Sequence, residues 1–218
     1  MTTDLKTVFK LLKYTFQLKT NCVSATIITI LGFLFLLAAP DTTLFMLGGF
    51  YLALGPLCIL QMQFTLLYSN LGKSSPKARM LEISSIDVLS AVSILICYTF
   101  VAIYITMRHG IAPADFPITY LFTTGIMYAA LLIYFSLAYK TYVFGIILLV
   151  ISTITVFRFS IFLVKIEIME SHLSTFTGSL LGYGCVFIGL LLSGLLRRLV
   201  YKRPLSKIAA GAKLRKQM

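Results

Sequence analysis

The chain has 218 residues, of which 59% are hydrophobic and only 12% are charged, and it contains no tryptophan. A soluble domain carries about 25% charged residues, so this composition excludes an ordinary soluble globular protein. The basic residues behind the formal net charge of +12 lie next to apolar segments, which favours contact with anionic lipid headgroups over binding of nucleic acid.

Residues 1–20 predict an amphipathic helix at the N-terminus. Apolar residues recur there at three- and four-residue steps, and lysines take the other side. A helix of this kind lies in the membrane interface with its apolar face in lipid. It is interpreted either as a plain membrane anchor or as a lever that connects cytoplasmic events to the first span. Its apolar face consists of Leu5, Val8, Phe9, Leu12 and Phe16.

Residues 21–196 contain six continuously apolar runs. A helix rises about 1.5 Å per residue, so roughly 20 apolar residues cross the ~30 Å hydrocarbon core. The runs lack the alternation of apolar and polar residues that is typical of a barrel strand. The sequence therefore predicts an all-α membrane protein with six transmembrane helices and an N-terminal interfacial helix. The runs are about Cys22–Ala39, Leu44–Tyr68, Asp87–Met107, Ile118–Tyr139, Tyr142–Val164 and Phe176–Leu195.

The basic residues predict how these spans are oriented. Most of the 19 lysines and arginines lie in the N-terminal segment, in the second and fourth connections and in the tail, residues 197–218. Basic segments stay on the cytoplasmic side of a membrane. We therefore expect a multi-pass protein of the plasma membrane with both termini and the basic tail in the cytoplasm.

The second connection, Ser69–Ser85, is the largest predicted cytoplasmic loop. Ser75 suits the N-cap of a helix, and Pro76 suits the first helical position. Good helix formers follow. The sequence therefore predicts a short cytoplasmic loop helix at 73–84.

Three polar residues within the predicted spans are candidates for a substrate pathway. Arg158 is the one charge clearly inside a run, and polar groups in hydrocarbon are costly and often functional. Its side chain either snorkels to the outer headgroups or lines an internal cavity and attracts an anionic group. Gln61 and Gln63 lie toward the inner end of the second span, where their amides predict hydrogen bonds between helices or contact with substrate.

The last predicted span contains the spacing Gly178-x-x-x-Gly182. Two small residues four apart let helix backbones approach closely. We expect this face to pack against another helix, within the subunit or between two copies.

No catalytic or metal-binding pattern is present. The chain contains no H-E-x-x-H, no G-x-S-x-G and no P-loop sequence, and its histidines and carboxylates do not form a ligand set for a metal ion. We therefore expect a protein that is not an enzyme and that holds no catalytic residue, metal or cofactor of its own.

Three features together resemble a permease subunit of a type-2 ABC exporter. They are the amphipathic lead-in before six spans, the helical loop Lys73-Ser-Ser-Pro-Lys-Ala-Arg79 between the second and third spans, and the brevity of the other loops. The likeness covers nearly the whole chain and is architectural. Small permeases of this length are similar to those of Gram-positive peptide exporters, including phenol-soluble modulin exporters.

The resemblance implies a pair of permeases, either two copies of this chain or two homologues, around a pathway. It also implies two copies of a separate ABC ATPase, which would hold ATP and Mg. The cargo would be an amphipathic or hydrophobic substrate, and an amphipathic peptide is favoured. Lys73–Ile83 would be the coupling helix that enters a groove on the ATPase. The residues expected to couple are Lys73, Ser75, Pro76, Lys77, Arg79, Met80 and Glu82.

Two other functions stay open at this point. One is the six-helix substrate-binding component of an energy-coupling importer, which needs an outward pocket with several polar groups. The other is a membrane protein that assembles a complex without transporting anything. An associated ATPase pair would favour the permease, and a tightly held vitamin would favour the importer component.

Overall fold

The computed structural model describes residues 18–38, 47–57, 79–109, 115–138, 140, 147, 150–151, 154–155, 158 and 175–203. Regular structure in these residues is helical throughout, which confirms the predicted all-α class for this part of the chain. The predicted interfacial residues Leu5, Phe9, Leu12 and Phe16 lie outside the described residues. The helices are α1 (Leu18–Ala38), α2 (Leu47–Leu57), a π turn (Met80–Ser84), α3 (Ser85–His109), α4 (Asp115–Ala138) and α5 (Thr175–Val200).

Three of these helices, α3, α4 and α5, are long and apolar enough to cross a membrane. In α3, no charged residue lies between Asp87 and Arg108. At a rise of about 1.5 Å per residue this stretch is ~30 Å long, which equals the thickness of the hydrocarbon core. The three helices indicate a membrane protein, and they coincide with the third, fourth and sixth predicted spans.

The buried and exposed faces of α5 indicate that the bundle is surrounded by lipid rather than water. Small residues, including Gly178, Gly182 and Gly189, are buried against neighbouring helices. Large apolar residues such as Leu191 and Phe187 are exposed, at 69% and 54% of their surface. A soluble helix buries its large apolar side chains. The reverse arrangement suits lipid, in which close backbone packing rather than apolar burial joins the helices.

Contacts between side chains show that α4 and α5 run in the same direction. Ile118 at the start of α4 lies against Gly178 near the start of α5. Toward their C-terminal ends, Ser136 accepts a hydrogen bond from Arg197. The two helices are therefore parallel, and they pack more extensively than any other pair among α1, the π turn, α3, α4 and α5.

The other helices alternate in direction. Arg197 binds Asp87 at the start of α3, and Tyr98 further along α3 donates to the carbonyl of Ser179, so α3 is antiparallel to α5 and α4. A methyl group on Gly32 or Gly48 would touch the backbone of the facing helix in the pair α1 and α2. This second pair is also antiparallel, because Gly55 lies beside the earlier part of α1.

Close approach of α4 and α5 depends on glycine. A Cβ atom built on Gly125 would lie 2.6 Å from the Cα atom of Gly182, and one built on Gly182 would lie 2.7 Å from the carbonyl oxygen of Leu121. These separations are shorter than any ordinary van der Waals contact. The predicted packing role of Gly178 and Gly182 is therefore fulfilled within the subunit.

Buried tyrosines add hydrogen bonds between helices. The Tyr98 hydroxyl lies 3.1 Å from the carbonyl oxygen of Leu121 and 3.3 Å from that of Ser179. The Tyr128 hydroxyl donates to the carbonyl of Gly49 at 2.9 Å, which links α4 to α2. Hydrogen bonds of this kind contribute about 0.6 kcal/mol on average between membrane helices, so they orient the helices more than they stabilise them.

Replacement of two glycines on α5 tests this packing. Gly182→Ala should lower the thermal unfolding midpoint, because the new methyl group overlaps the backbone of α4 and the Tyr98 ring. Gly184→Ala is the matched control: its Cβ meets nothing within 4 Å, so only the gain in helix propensity of up to ~1 kcal/mol remains. Thermal unfolding in detergent, followed by circular dichroism, measures both. Equal midpoints for the two variants would contradict the close approach of α4 and α5.

Candidate functional site

Charged and polar side chains meet where α3 begins and where α4 and α5 end. We call this set the charged-end cluster, and it contains two ion pairs that connect different helices. Its side chains come from the π turn, from the first turn of α3, from α4 and the second residue after it, and from the last turn of α5. Its members are Glu82, Asp87, Ser136, Lys140 and Arg197.

Arg197 is the centre of the first ion pair. It is fully buried, although it is charged and lies at the end of a long apolar helix. Its Nη1 atom donates to Oδ1 of Asp87 at 2.6 Å, and its Nη2 atom donates to the hydroxyl of Ser136 at 3.1 Å. The same hydroxyl donates to the carbonyl of Leu132 at 2.8 Å. One guanidinium thus joins α3, α4 and α5.

Lys140 is the centre of the second ion pair. Its Nζ atom lies 2.9 Å from Oε1 of Glu82 in the π turn. The same atom donates to the carbonyl oxygens of Tyr201 and Arg203, at 3.1 and 2.9 Å, just beyond the end of α5. Lysine often binds the last carbonyl groups of a helix in this way. Lys140 therefore holds the segment before α3 against the end of α5.

The π turn explains how two acids five residues apart reach neighbouring cations. In an α-helix, residues five apart point about 140° away from each other, because successive residues differ by ~100°. A π turn pairs residue i with i+5 and widens the helix, which reduces this angle. Glu82 lies in the π turn and Asp87 in the α-helix that follows, so both can face α4 and α5.

The helix dipoles also favour an acidic residue at the start of α3 and a basic residue at the end of α5. Asp87 lies in the first turn of α3 and Arg197 in the last turn of α5. Negative charge is stabilised at a helix N-terminus and positive charge at a C-terminus, by about 0.3–1 kcal/mol each. Because α3 and α5 are antiparallel, these two ends are neighbours, and the ion pair forms between them.

The structure describes some of the sequence-predicted site residues. Arg79 is helical and exposed, Met80 begins the π turn, and Glu82 is paired with Lys140. Arg158 is helical and exposed, and its predicted part in a substrate pathway stays a prediction. The predicted residues outside the described part of the chain are Gln61, Gln63, Lys73, Ser75, Pro76 and Lys77.

Sequence reasoning missed the roles of Arg197 and Lys140. The charge pattern predicts Arg197 as part of the basic tail, but α5 continues past this point to Val200. The same pattern predicts Lys140 only as a basic residue of the fourth connection. The rarity of acidic residues is a signal that could have indicated these roles, because the chain has only seven. Asp87 lies at the end of an apolar helix, and an acid in this position needs a cation from another helix when packing covers it.

The described residues hold no group of three or more His, Cys, Asp or Glu side chains that could bind a metal ion. Comparison with protein-family models found no match to the chain, and comparisons with curated proteins and with solved structures found none either. The chemistry of the charged-end cluster is therefore the main guide to function. It offers bound, mutually neutralised charges that join helices, rather than a nucleophile or an acid–base pair.

The Asp87–Arg197 pair can be tested by unfolding. Asp87→Asn should lower the free energy of unfolding by ~3–5 kcal/mol, because the buried guanidinium loses its counter-charge. Adding Arg197→Gln to this variant should recover much of that loss, since the buried charge is then removed as well. Denaturant unfolding in mixed micelles measures each free energy.

Arg203→Gln is the control for this pair, because the Arg203 side chain is exposed at the same end of the bundle. It should leave the free energy of unfolding within about 0.5 kcal/mol of the unmodified protein. If the losses caused by Asp87→Asn and Arg197→Gln simply add in the double variant, the two side chains do not stabilise each other.

Proposed function

We propose that the chain is the transmembrane permease subunit of an ATP-binding cassette exporter. It has six spans and cytoplasmic termini, and it moves an amphipathic or hydrophobic substrate, with an amphipathic peptide favoured. A separate ATPase supplies the energy. The observation that carries the proposal is the attachment of the segment before α3 to the ends of α4 and α5 through Glu82 and Lys140.

The direction of the helices supports six spans. Because α4 and α5 are parallel and follow each other in the chain, the residues between them must return to the side where α5 begins. The residues that the structure describes between 147 and 158 are helical and exposed. They suit a lipid-facing span. They are Ile147, Val150, Ile151, Ile154, Thr155 and Arg158.

The charged end suits the cytoplasmic side of the membrane. Arg197, Arg198, Lys202 and Arg203 all lie at the end of α5 or just beyond it. Cytoplasmic segments carry an excess of lysine and arginine. In this orientation, the π turn and the loop helix predicted at 73–84 face the cytoplasm, where an ATPase can reach them.

The charged-end cluster gives the loop a way to act on the spans. A force on the loop helix reaches Glu82, and Lys140 carries it both to the end of α4 and to the carbonyl groups beyond α5. Asp87 and Arg197 carry it to α5 at a second point. ATP binding shifts the permease between states only to the extent that the ATPase contacts differ between them, and a loop fixed at two points transmits such a difference.

Binding of the ATPase to the loop is tested by charge reversal. Co-expressed with its partner P-loop ATPase, which the proposal expects to be encoded beside its gene, the chain should co-purify with two ATPase copies. Lys77→Glu combined with Arg79→Glu should abolish this association and export while leaving membrane insertion intact, since the loop becomes acidic. Co-purification and peptide export from cells measure both effects.

Lys202→Glu combined with Arg203→Glu is the matched control, because it makes the same change of charge at the same end of the bundle but outside the loop. It should retain the ATPase. Unchanged docking and export in the loop variant, or a tightly held vitamin in the purified protein without any ATPase, would contradict the proposal.

Transmission through Lys140 is tested separately from docking. Lys140→Gln removes the cation that binds Glu82 and the carbonyls beyond α5, so the ATPase should still dock while export falls about two- to thirtyfold, as expected for a coupling of 0.5–2 kcal/mol. Lys140→Arg keeps the charge and should retain most export. If Lys140→Gln leaves export unchanged, the ion pair does not transmit motion.

A further inference from the structure

A groove of about 470 Å³ runs along the surface of the bundle between α3 and α5. This size lies within the ~300–1,000 Å³ range of sites that bind small molecules. The walls are apolar, and two of the α5 residues are largely exposed, Leu191 at 69% and Leu195 at 55%. The apolar lining consists of Val88, Ala91, Phe187, Leu190, Leu191 and Leu195.

One end of the groove carries charge. Asp87 and Arg198 line it there. The Asp87 carboxylate is already bound to the buried Arg197 guanidinium at 2.6 Å, so these two charges neutralise each other. The exposed Arg198 guanidinium therefore leaves this end of the groove with a net positive charge.

The α5 wall of the groove is about as long as one leaflet of a bilayer is thick, while the α3 wall consists of Asp87, Val88 and Ala91. Along α5, its lining extends from Phe187 to Arg198. At about 1.5 Å per residue this is ~16 Å, or half of the ~30 Å hydrocarbon core. A transmembrane helix of a second subunit would need the full thickness. A single acyl chain whose headgroup lies at the charged end needs half of it.

Small residues keep the groove open beside the charged end. A Cβ atom built on Gly194 would lie 3.7–3.9 Å from the Asp87 carboxylate, so a larger side chain at this position would extend into the groove. Ala91 lines the opposite wall. Two small residues thus line the groove beside its charged end.

We infer that this groove binds a phospholipid with an anionic headgroup from the leaflet at the charged end. The acyl chain lies between α3 and α5, and the headgroup phosphate accepts hydrogen bonds from the Arg198 guanidinium. That leaflet is the cytoplasmic one in the orientation proposed above, and cytoplasmic leaflets carry anionic lipids. Lipid binding here does not depend on the transport function.

Native mass spectrometry of the protein in detergent tests this site, with phosphatidylglycerol and phosphatidylcholine of identical acyl chains as probes. The protein should retain phosphatidylglycerol in preference. Arg198→Gln should weaken phosphatidylglycerol binding roughly fivefold, the effect of one cation near an anionic headgroup, and should erase the preference. Gly194→Leu should weaken binding of both lipids, because it fills the groove and leaves the charge in place.

Two matched controls distinguish lipid binding in the groove from nonspecific lipid binding. Arg203→Gln removes an exposed cation at the same end outside the groove, and Gly184→Leu makes the same glycine replacement where the helix faces open space. Both should bind lipid like the unmodified protein. If Arg203→Gln matches Arg198→Gln, or if an amphipathic peptide but no lipid occupies the groove, the inference is overturned. Because Arg198 is exposed, its variant remains informative even if Gly194→Leu fails to fold.

Discussion

The buried guanidinium of Arg197 sets a condition that the rest of the described bundle meets. A charge removed from water costs several kcal/mol unless a counter-charge and hydrogen bonds compensate for it. Here the carboxylate comes from α3 and the hydroxyl from α4. The start of α3 and the ends of α4 and α5 must therefore lie at the same level, and a shift of one helix along its axis would separate the guanidinium from a partner. The ion pair therefore fixes the register of the three helices, which is their relative position along their axes.

Glycine makes this register possible. Ser136 reaches Arg197 only because α4 and α5 lie side by side along their length, and this requires backbone contact at Gly125 and Gly182. Close contact between parallel helices also brings their C-terminal ends together, where both dipoles place negative partial charge. Cations at these ends relieve that repulsion. Lys140 and Arg197 lie there, so packing and electrostatics favour the same arrangement.

Much of the described fold could be predicted from the sequence, because runs of about 20 apolar residues indicate helices that cross a membrane. The runs behind α3, α4 and α5 were predicted as spans, and the close packing of Gly178 and Gly182 was expected. Charge patterning treats basic residues as a group and assigns them to a side. It does not say which of them packing will cover, and so Arg197 and Lys140 looked like their exposed neighbours.

The π turn was beyond prediction for a different reason. Its residues, Met80 to Ser84, include good helix formers, and local propensity gives no reason for a wider turn. The turn is favoured by tertiary contacts, because it directs Glu82 toward Lys140 while Asp87 binds Arg197. Only the positions of α4 and α5 define where those cations are. The sequence does show that the few acidic residues and several basic residues lie near the ends of predicted spans, which indicates that some of them form ion pairs.

The contacts in the charged-end cluster are ion pairs, which resist movement of the helices more than apolar contacts do. An apolar contact allows helices to slide, because its energy depends on buried area rather than direction. Ion pairs with hydrogen bonds are directional. The Glu82–Lys140 pair is covered, with side-chain exposures of 13% and 5%, so water weakens it little. The pair therefore attaches the π turn to the end of α4 and to the carbonyl groups beyond α5, which is the property that the proposed coupling segment requires.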